Sequence, residues 1–269
     1  MKRFPVWIAF GLALAAPFAA QAHKFFMVPS QTVLSGGQDN WITVDAAVSN
    51  DLFYFNHHAL ALDNLVINAP DGSVVQPENA HTGKWRSTFD VHLTAEGTYR
   101  LAVVNDGFVA TYEQDGQRKR WRGSAADLAS LPDKADKLVV TESSSRLETF
   151  VTVGSPTTKT LHSSGRGLEM VPVTHPNDLY SGEPATFRLT LDGKPAADVE
   201  VVAIPGGTRY RDNQDEIKTR TDADGTFSLT WPSAGMYWLN ATAQAGKASN
   251  PRADSRRVSY VATLEVLPQ

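Results

Sequence analysis

Short runs of β-forming residues, each cut off by a turn signal, repeat along the chain, and this rhythm limits the fold more than any other feature. Residues 40–48, 64–68, 87–93 and 97–104 alternate apolar and polar side chains in the manner of half-buried strands. Ser35-Gly36-Gly37, Pro70-Asp71-Gly72, Ala95-Glu96-Gly97 and Asn105-Asp106-Gly107 punctuate them with residues suited to tight turns. Strands recurring roughly every 8–12 residues predict a sandwich or barrel. One stretch departs from the rhythm: residues 124–131, ahead of Pro132, predict a short helix with Ser124 as its N-cap.

The rhythm pauses near residues 154–167, where Gly154-Ser155-Pro156 and Ser163-Ser164-Gly165-Arg166-Gly167 are polar and turn-rich. Beyond it, residues 184–191, 199–204, 219–229, 234–241 and 257–266 read as strands or hairpins. About seven strands in about 100 residues is the size of an immunoglobulin-like sandwich. The expected architecture is therefore all-β: two immunoglobulin-like β-sandwich lobes in tandem, with one short helix near 124–131 in the first. Residues 23–158 form the first lobe, 159–167 a linker and 168–269 the second. The 269 residues include no cysteine, so no disulfide assists either core and thiolate chemistry is excluded.

Residues 1–22 have the form of a cleavable secretory signal peptide. Lys2 and Arg3 precede an apolar stretch over 6–18, and Ala20-Gln21-Ala22 offers an A-x-A cleavage site. The apolar run falls short of the ~20 residues that span a bilayer. The expected location is a bacterial periplasm, with no stable membrane insertion after cleavage. Processing would take the formal charge from −4 to −6. No basic footprint for nucleic acid is present.

Several segments resemble one family. Gly167-Leu168-Glu169-Met170-Val171-Pro172, continuing through His175-Pro176, Leu179 and Gly182, is similar to the linker of a group of bacterial periplasmic proteins described as nickel-uptake substrate-specific components. The opening His23-Lys24-Phe25-Phe26 and Pro29 resemble the start of the same proteins. Asp192-Gly193-Lys194-Pro195 and Thr221-Asp222-Ala223-Asp224-Gly225 match their immunoglobulin/transthyretin-like C-terminal lobe. The resemblance implies export, two β lobes and a part in metal uptake.

Seven histidines carry the candidate chemistry. Imidazole is the commonest protein metal ligand and suits nickel, copper, zinc and iron. Cleavage would make His23 the first residue, presenting an α-amine and an imidazole together. His57-His58 follow the aromatic run Leu52-Phe53-Tyr54-Phe55. Neighbouring strand residues point to opposite faces, so both could reach one ion only from a loop or bulge. His23, His57 and His58 are the expected metal ligands, with His57 and His58 as alternatives for the third nitrogen. His81 and His92 stand in reserve, His175 serves a turn, and His162 has no assigned part.

Other patterns point to structure. Asp222, Asp224 and Gly225 imitate part of a calcium loop but lack its terminal glutamate. Arg118-Lys119-Arg120-Trp121-Arg122 could touch an acidic partner, although a charged exposed loop beside a buried tryptophan is the simpler expectation. No hydrolase elbow, zincin helix, phosphate loop or dinucleotide fingerprint occurs. The reading is a non-enzymatic periplasmic accessory protein binding a transition metal: nickel, or alternatively copper, cobalt or iron. Its partners would be a membrane metal transporter or outer-membrane receptor components. The alternative is a non-catalytic envelope module that binds a protein or carbohydrate.

Overall fold

The computed structural model describes residues 23–132 and 135–269, so the expected signal peptide lies outside the described residues. The chain opens with β1 (Lys24–Pro29), β2 (Val33–Leu34), β3 (Asn40–Ser49), β4 (His58–Ala59), β5 (Leu65–Asn68) and β6 (Val74–Val75). It continues through β7 (Glu78–Thr82), β8 (Ser87–Leu93), β9 (Gly97–Gln114), β10 (Gln117–Gly123) and β11 (Asp136–Val153). The second half adds β12 (Leu168–Pro172), β13 (Pro184–Leu191), β14 (Lys194–Pro195) and β15 (Glu200–Pro205). β16 (Ile217–Arg220), β17 (Thr226–Thr230), β18 (Gly235–Gln244) and β19 (Ser255–Val266) complete it.

The fold is all-β, as expected. The helix anticipated near 124–131 is a 3₁₀ turn over Ala126–Ser130. Ala125, not Ser124, holds the N-cap position and no side chain caps the turn; Ser124 donates its N–H and hydroxyl to Asp127 Oδ2, at 2.8 and 2.7 Å. The basic run expected as a loop is strand β10, and Trp121 is half-buried on it. Among the described residues no helix is long and apolar enough to cross a membrane.

Three sheets stack. The first has the order β1-β3-β8-β7, with β4 on the end of β3. The third has the order β12-β13-β14, with β17 on β13. Between them runs a ten-stranded sheet, β16-β15-β18-β19-β11-β9-β5-β6, to which β10 and β2 add at β9 and β11. The two lobes meet where β11 and β19 pair in parallel, residues 141–149 beside 255–263.

The middle sheet serves two cores. Leu147 and Val151 of β11, with Tyr99 and Leu101 of β9, pack against Phe26, Ile42, Val44 and Phe89 of the first sheet. Phe150 of β11, with Leu239 of β18 and Tyr260 of β19, packs against Met170, Phe187 and Leu229 of the third. Strands covered on both faces lose their apolar–polar alternation. Accordingly residues 147–153 and 260–264 are buried without interruption.

The charged side chains buried at this joint are paired, whereas the Thr263 hydroxyl on β19 is buried without a hydrogen-bond partner among the described residues. Glu148, fully buried on β11, accepts from Arg100 Nε at 2.8 Å, Arg146 at 3.0 Å and the Tyr260 hydroxyl at 2.9 Å. Glu169 on β12 lies 3.3 Å from Arg146 and accepts from the Ser163 and Ser164 hydroxyls and the amides of Ser164 and Gly165. Arg100 also donates to the carbonyls of Thr160 and His162. Residues 160–165 are thus held from both sides by buried charges. Burial disfavours the Glu169 charge, but the serine hydrogen bonds and Arg146 outweigh it and hold the carboxyl below the usual carboxylate range.

Removing one member of a buried charge cluster leaves its partners uncompensated. Glu148→Ala is expected to lower unfolding stability by about 3–5 kcal/mol in urea denaturation. Tyr260→Phe, which removes one hydrogen bond to a charged group, should lower it by about 1.5–3 kcal/mol. Near-neutral behaviour of Glu148→Ala would show that the cluster does not hold the joint.

Candidate metal centre

The last residues of β3 determine where the three expected ligands lie. β1 runs along one edge of β3, with Lys24 opposite Ser49, so His23 stands just past the strand pair. β4 lies on the other edge, with His58 opposite Val48. Both approaches converge on the same corner of the first sheet.

The connecting segment, residues 50–57, is anchored rather than loose. Leu52 is fully buried, and Tyr54 N–H donates to Asp51 O at 3.2 Å to close a turn. Phe53 adopts a left-handed φ of 63° and sets its ring edge-on to Phe26, with centroids 5.2 Å apart. Asn56 ties the ends together. Its Oδ1 accepts from Ser49 Oγ at 2.5 Å and Asn50 N–H at 3.0 Å, and its Nδ2 donates to Asp51 at 2.7 Å. The second lobe braces the same segment: Leu52 N–H donates to Thr208 Oγ1 at 3.3 Å, and Tyr210 meets Tyr54 edge-on at 5.9 Å.

His23, His57 and His58 are therefore neighbours. The His23 and His57 rings stack with centroids 3.7 Å apart and planes 6° from parallel. His58 sits 4.8 Å from His57 at 48°. β4 begins at His58, so His57 belongs to the preceding loop and strand alternation does not separate the pair. His57 is half-buried, whereas His23 and His58 are exposed. The 2.7 Å contact of His58 Nδ1 with Ala59 O makes Nδ1 the donor, since a carbonyl oxygen only accepts.

The stacked rings are not in ligand geometry. An ion about 2.0–2.1 Å from an imidazole nitrogen lies in the ring plane, and parallel rings face to face cannot both meet that condition. Among the described residues no group of three or more His, Cys, Asp or Glu is arranged to hold a metal ion. One exposed ring must turn before two nitrogens converge. Partial burial first, then the proximity of His23 and His58, lowers the His57 pKa and favours its neutral ring. Beside this corner, Lys24 is held below the ordinary ammonium range by burial, against the attraction of Glu216 and Asp51.

The remaining histidines have other surroundings. His92 stacks on Trp41 at 4.3 Å and approaches Asp39, and His81 is exposed on β7. His175 is a turn residue: Nδ1 accepts from Asn177 N–H at 3.2 Å and Nε2 faces Thr98 Oγ1 at 3.0 Å. The Asp222 carboxylate accepts the amides of Asp224 and Thr226, as a hairpin turn requires. A Cβ on Gly225 would lie 2.4 Å from Leu189 O, so the turn admits only glycine there.

Likeness to solved structures is weak. The D0-D1 domain of intimin shares 14% identity over 90% of this chain and 97% of that chain, with a TM-score of 0.22. The adhesin InvE of Yersinia pseudotuberculosis shares 12% over 90% and 58%, with a TM-score of 0.22. A DUF3823 family protein from Bacteroides uniformis shares 13% over 79% and 92%, with a TM-score of 0.25. No curated protein matches the chain. Residues 20–245 match the family described as Domain of unknown function (DUF4198).

The histidine corner makes a pH prediction. Because folding lowers the His57 pKa, the unfolded chain takes up that proton first. Neutral His57 then stabilises the fold above about pH 6.5, and the contribution is lost as pH falls through the lower folded value. An NMR titration should find the His57 midpoint below the ordinary imidazole value, and His23→Ala should move it upward. A midpoint at or above the ordinary value would contradict the packing argument.

Proposed function

The chain belongs to the DUF4198 family, and from that membership and its histidine corner we propose that it is an exported, non-enzymatic accessory protein that carries a transition metal ion. The observation that carries this reading is the meeting of three imidazoles, with His57 between His23 and His58. Neutral imidazoles suit borderline cations, and nickel or copper is the cargo this donor set favours. The resemblance to nickel-uptake proteins supports the same choice.

His23 holds the key position. If processing follows Ala22, its new α-amine and its ring join the nitrogens of His57 or His58, a set suited to tetragonal Cu(II) or Ni(II). The exposed rings of His23 and His58 turn toward the ion while the anchored loop keeps His57 in place. Exposure of the corner also suits release, which a carrier needs in order to pass its cargo to a membrane transporter or outer-membrane receptor component. The signal-like residues 1–22 support a periplasmic location.

Isothermal titration of a chain beginning at His23 is expected to show about one Ni(II) or Cu(II) per molecule. His57→Ala should weaken binding at least about tenfold, the loss of one strong ligand or its orienting contacts. One additional residue before His23 should weaken it too, because the amine moves away. Absence of binding to the His23-initiated chain would end this proposal.

A further inference from the structure

The most distinctive surface outside the histidine corner is the edge formed by β10. This strand pairs only with β9 among the described residues, and its other edge meets no strand. Asp115 and Gly116, with φ of 54° and 71°, form the two-residue turn that joins β9 to β10. In such a hairpin the flanking residues, Gln114 and Gln117, make the hydrogen-bonded pair, and the pattern alternates from there. Gln117, Lys119 and Trp121 therefore direct their backbone groups to β9. Arg118, Arg120 and Arg122 direct theirs outward.

The same three arginines share one face. Trp121 lies on the other face, packed with Tyr112 against a small core of Phe108, Leu128 and Leu131. Arg118, Arg120 and Arg122 are all exposed. Glu113, opposite Arg118 in the ladder, pairs with Lys137 at 2.8 Å instead. Thr111 and Val109 stand opposite Arg120 and Arg122 and offer no charge. A row of cations thus borders unpaired backbone donors and acceptors, on a chain whose net charge is −4.

We propose that the β10 edge receives an extended acidic segment of a partner protein, added as a further strand with carboxylates at alternate positions opposite Arg118, Arg120 and Arg122. The two features require each other in this reading. Side chains at i and i+2 of an added strand lie on one face at the spacing of the arginines, and directly opposite charges stabilise the pairing. The free amides and carbonyls supply the ladder, as in other strand-addition complexes. A second copy of β10 is a poor occupant, since pairing two such edges would bring cations together. A flat anionic surface could attract the arginines but would leave the backbone groups unused. This inference does not depend on metal binding.

The test uses the full chain and a peptide alternating glutamate and threonine over seven residues, the length of β10. Fluorescence anisotropy should detect binding, and hydrogen exchange should slow at the amides of Arg118, Arg120 and Arg122. The triple variant Arg118→Gln, Arg120→Gln, Arg122→Gln should bind about tenfold more weakly, the combined effect of three cross-strand charge pairs. The same peptide N-methylated on its pairing amides should lose most binding. Equal binding of the two peptides, binding only to phosphatidylglycerol vesicles, or no peptide binding would each overturn the proposal.

Discussion

The buried cluster of Arg100, Arg146, Glu148 and Glu169 is the constraint on which the architecture turns. β11 and β19 must lie side by side in parallel for one sheet to back two cores, and this places charged side chains where water is excluded. A buried charge is tolerated only when paired and hydrogen-bonded. The cluster meets that condition by recruiting the Tyr260 hydroxyl, the carbonyls of Thr160 and His162 and the amides of Ser164 and Gly165. The segment between the lobes is consequently part of the joint, and the lobes share a sheet instead of hanging from a tether.

The histidine corner inherits its rigidity from this arrangement. With the lobes joined, the Pro205–Tyr210 region of the second reaches the residue 50–57 segment of the first, through Thr208 to Leu52 and Tyr210 to Tyr54. Asn56 closes the segment from within. The result is one half-buried, preferentially neutral ring flanked by two exposed rings that can reorient. For the proposed carrier role, such a division suits reversible capture better than a closed structural site, which would need its donors already convergent.

Much of the strand content was legible because one-sided strands keep their period of two. β3 and β8 show it plainly, with Ile42, Val44, Phe89, Val91 and Leu93 buried at alternate positions. β11 was not legible in this way. Its residues 147–153 are buried on both faces, and its first half, rich in serine and charge, resembles a loop when read locally. β10 was hidden for the opposite reason, since alternating arginines on an exposed edge carry no apolar signal. Ser124 drew attention as a cap, yet the turn starts one residue later at Ala125, and the Ser124 hydroxyl donates to Asp127 instead of accepting from the turn.

The amino-acid order alone was sufficient for a β-rich, disulfide-free chain, because turn chemistry and apolar spacing act over a few residues. It also marked His23, His57 and His58 as a chemical set. Their adjacency required long-range pairing: β3 must carry β1 on one edge and β4 on the other before residues 23 and 57 can stack. The shared middle sheet, the buried charge joint and the open edge of β10 likewise arise from contacts between distant segments. Local propensity holds no record of such contacts, since their free energy comes from burial and pairing that exist only once the chain has closed on itself.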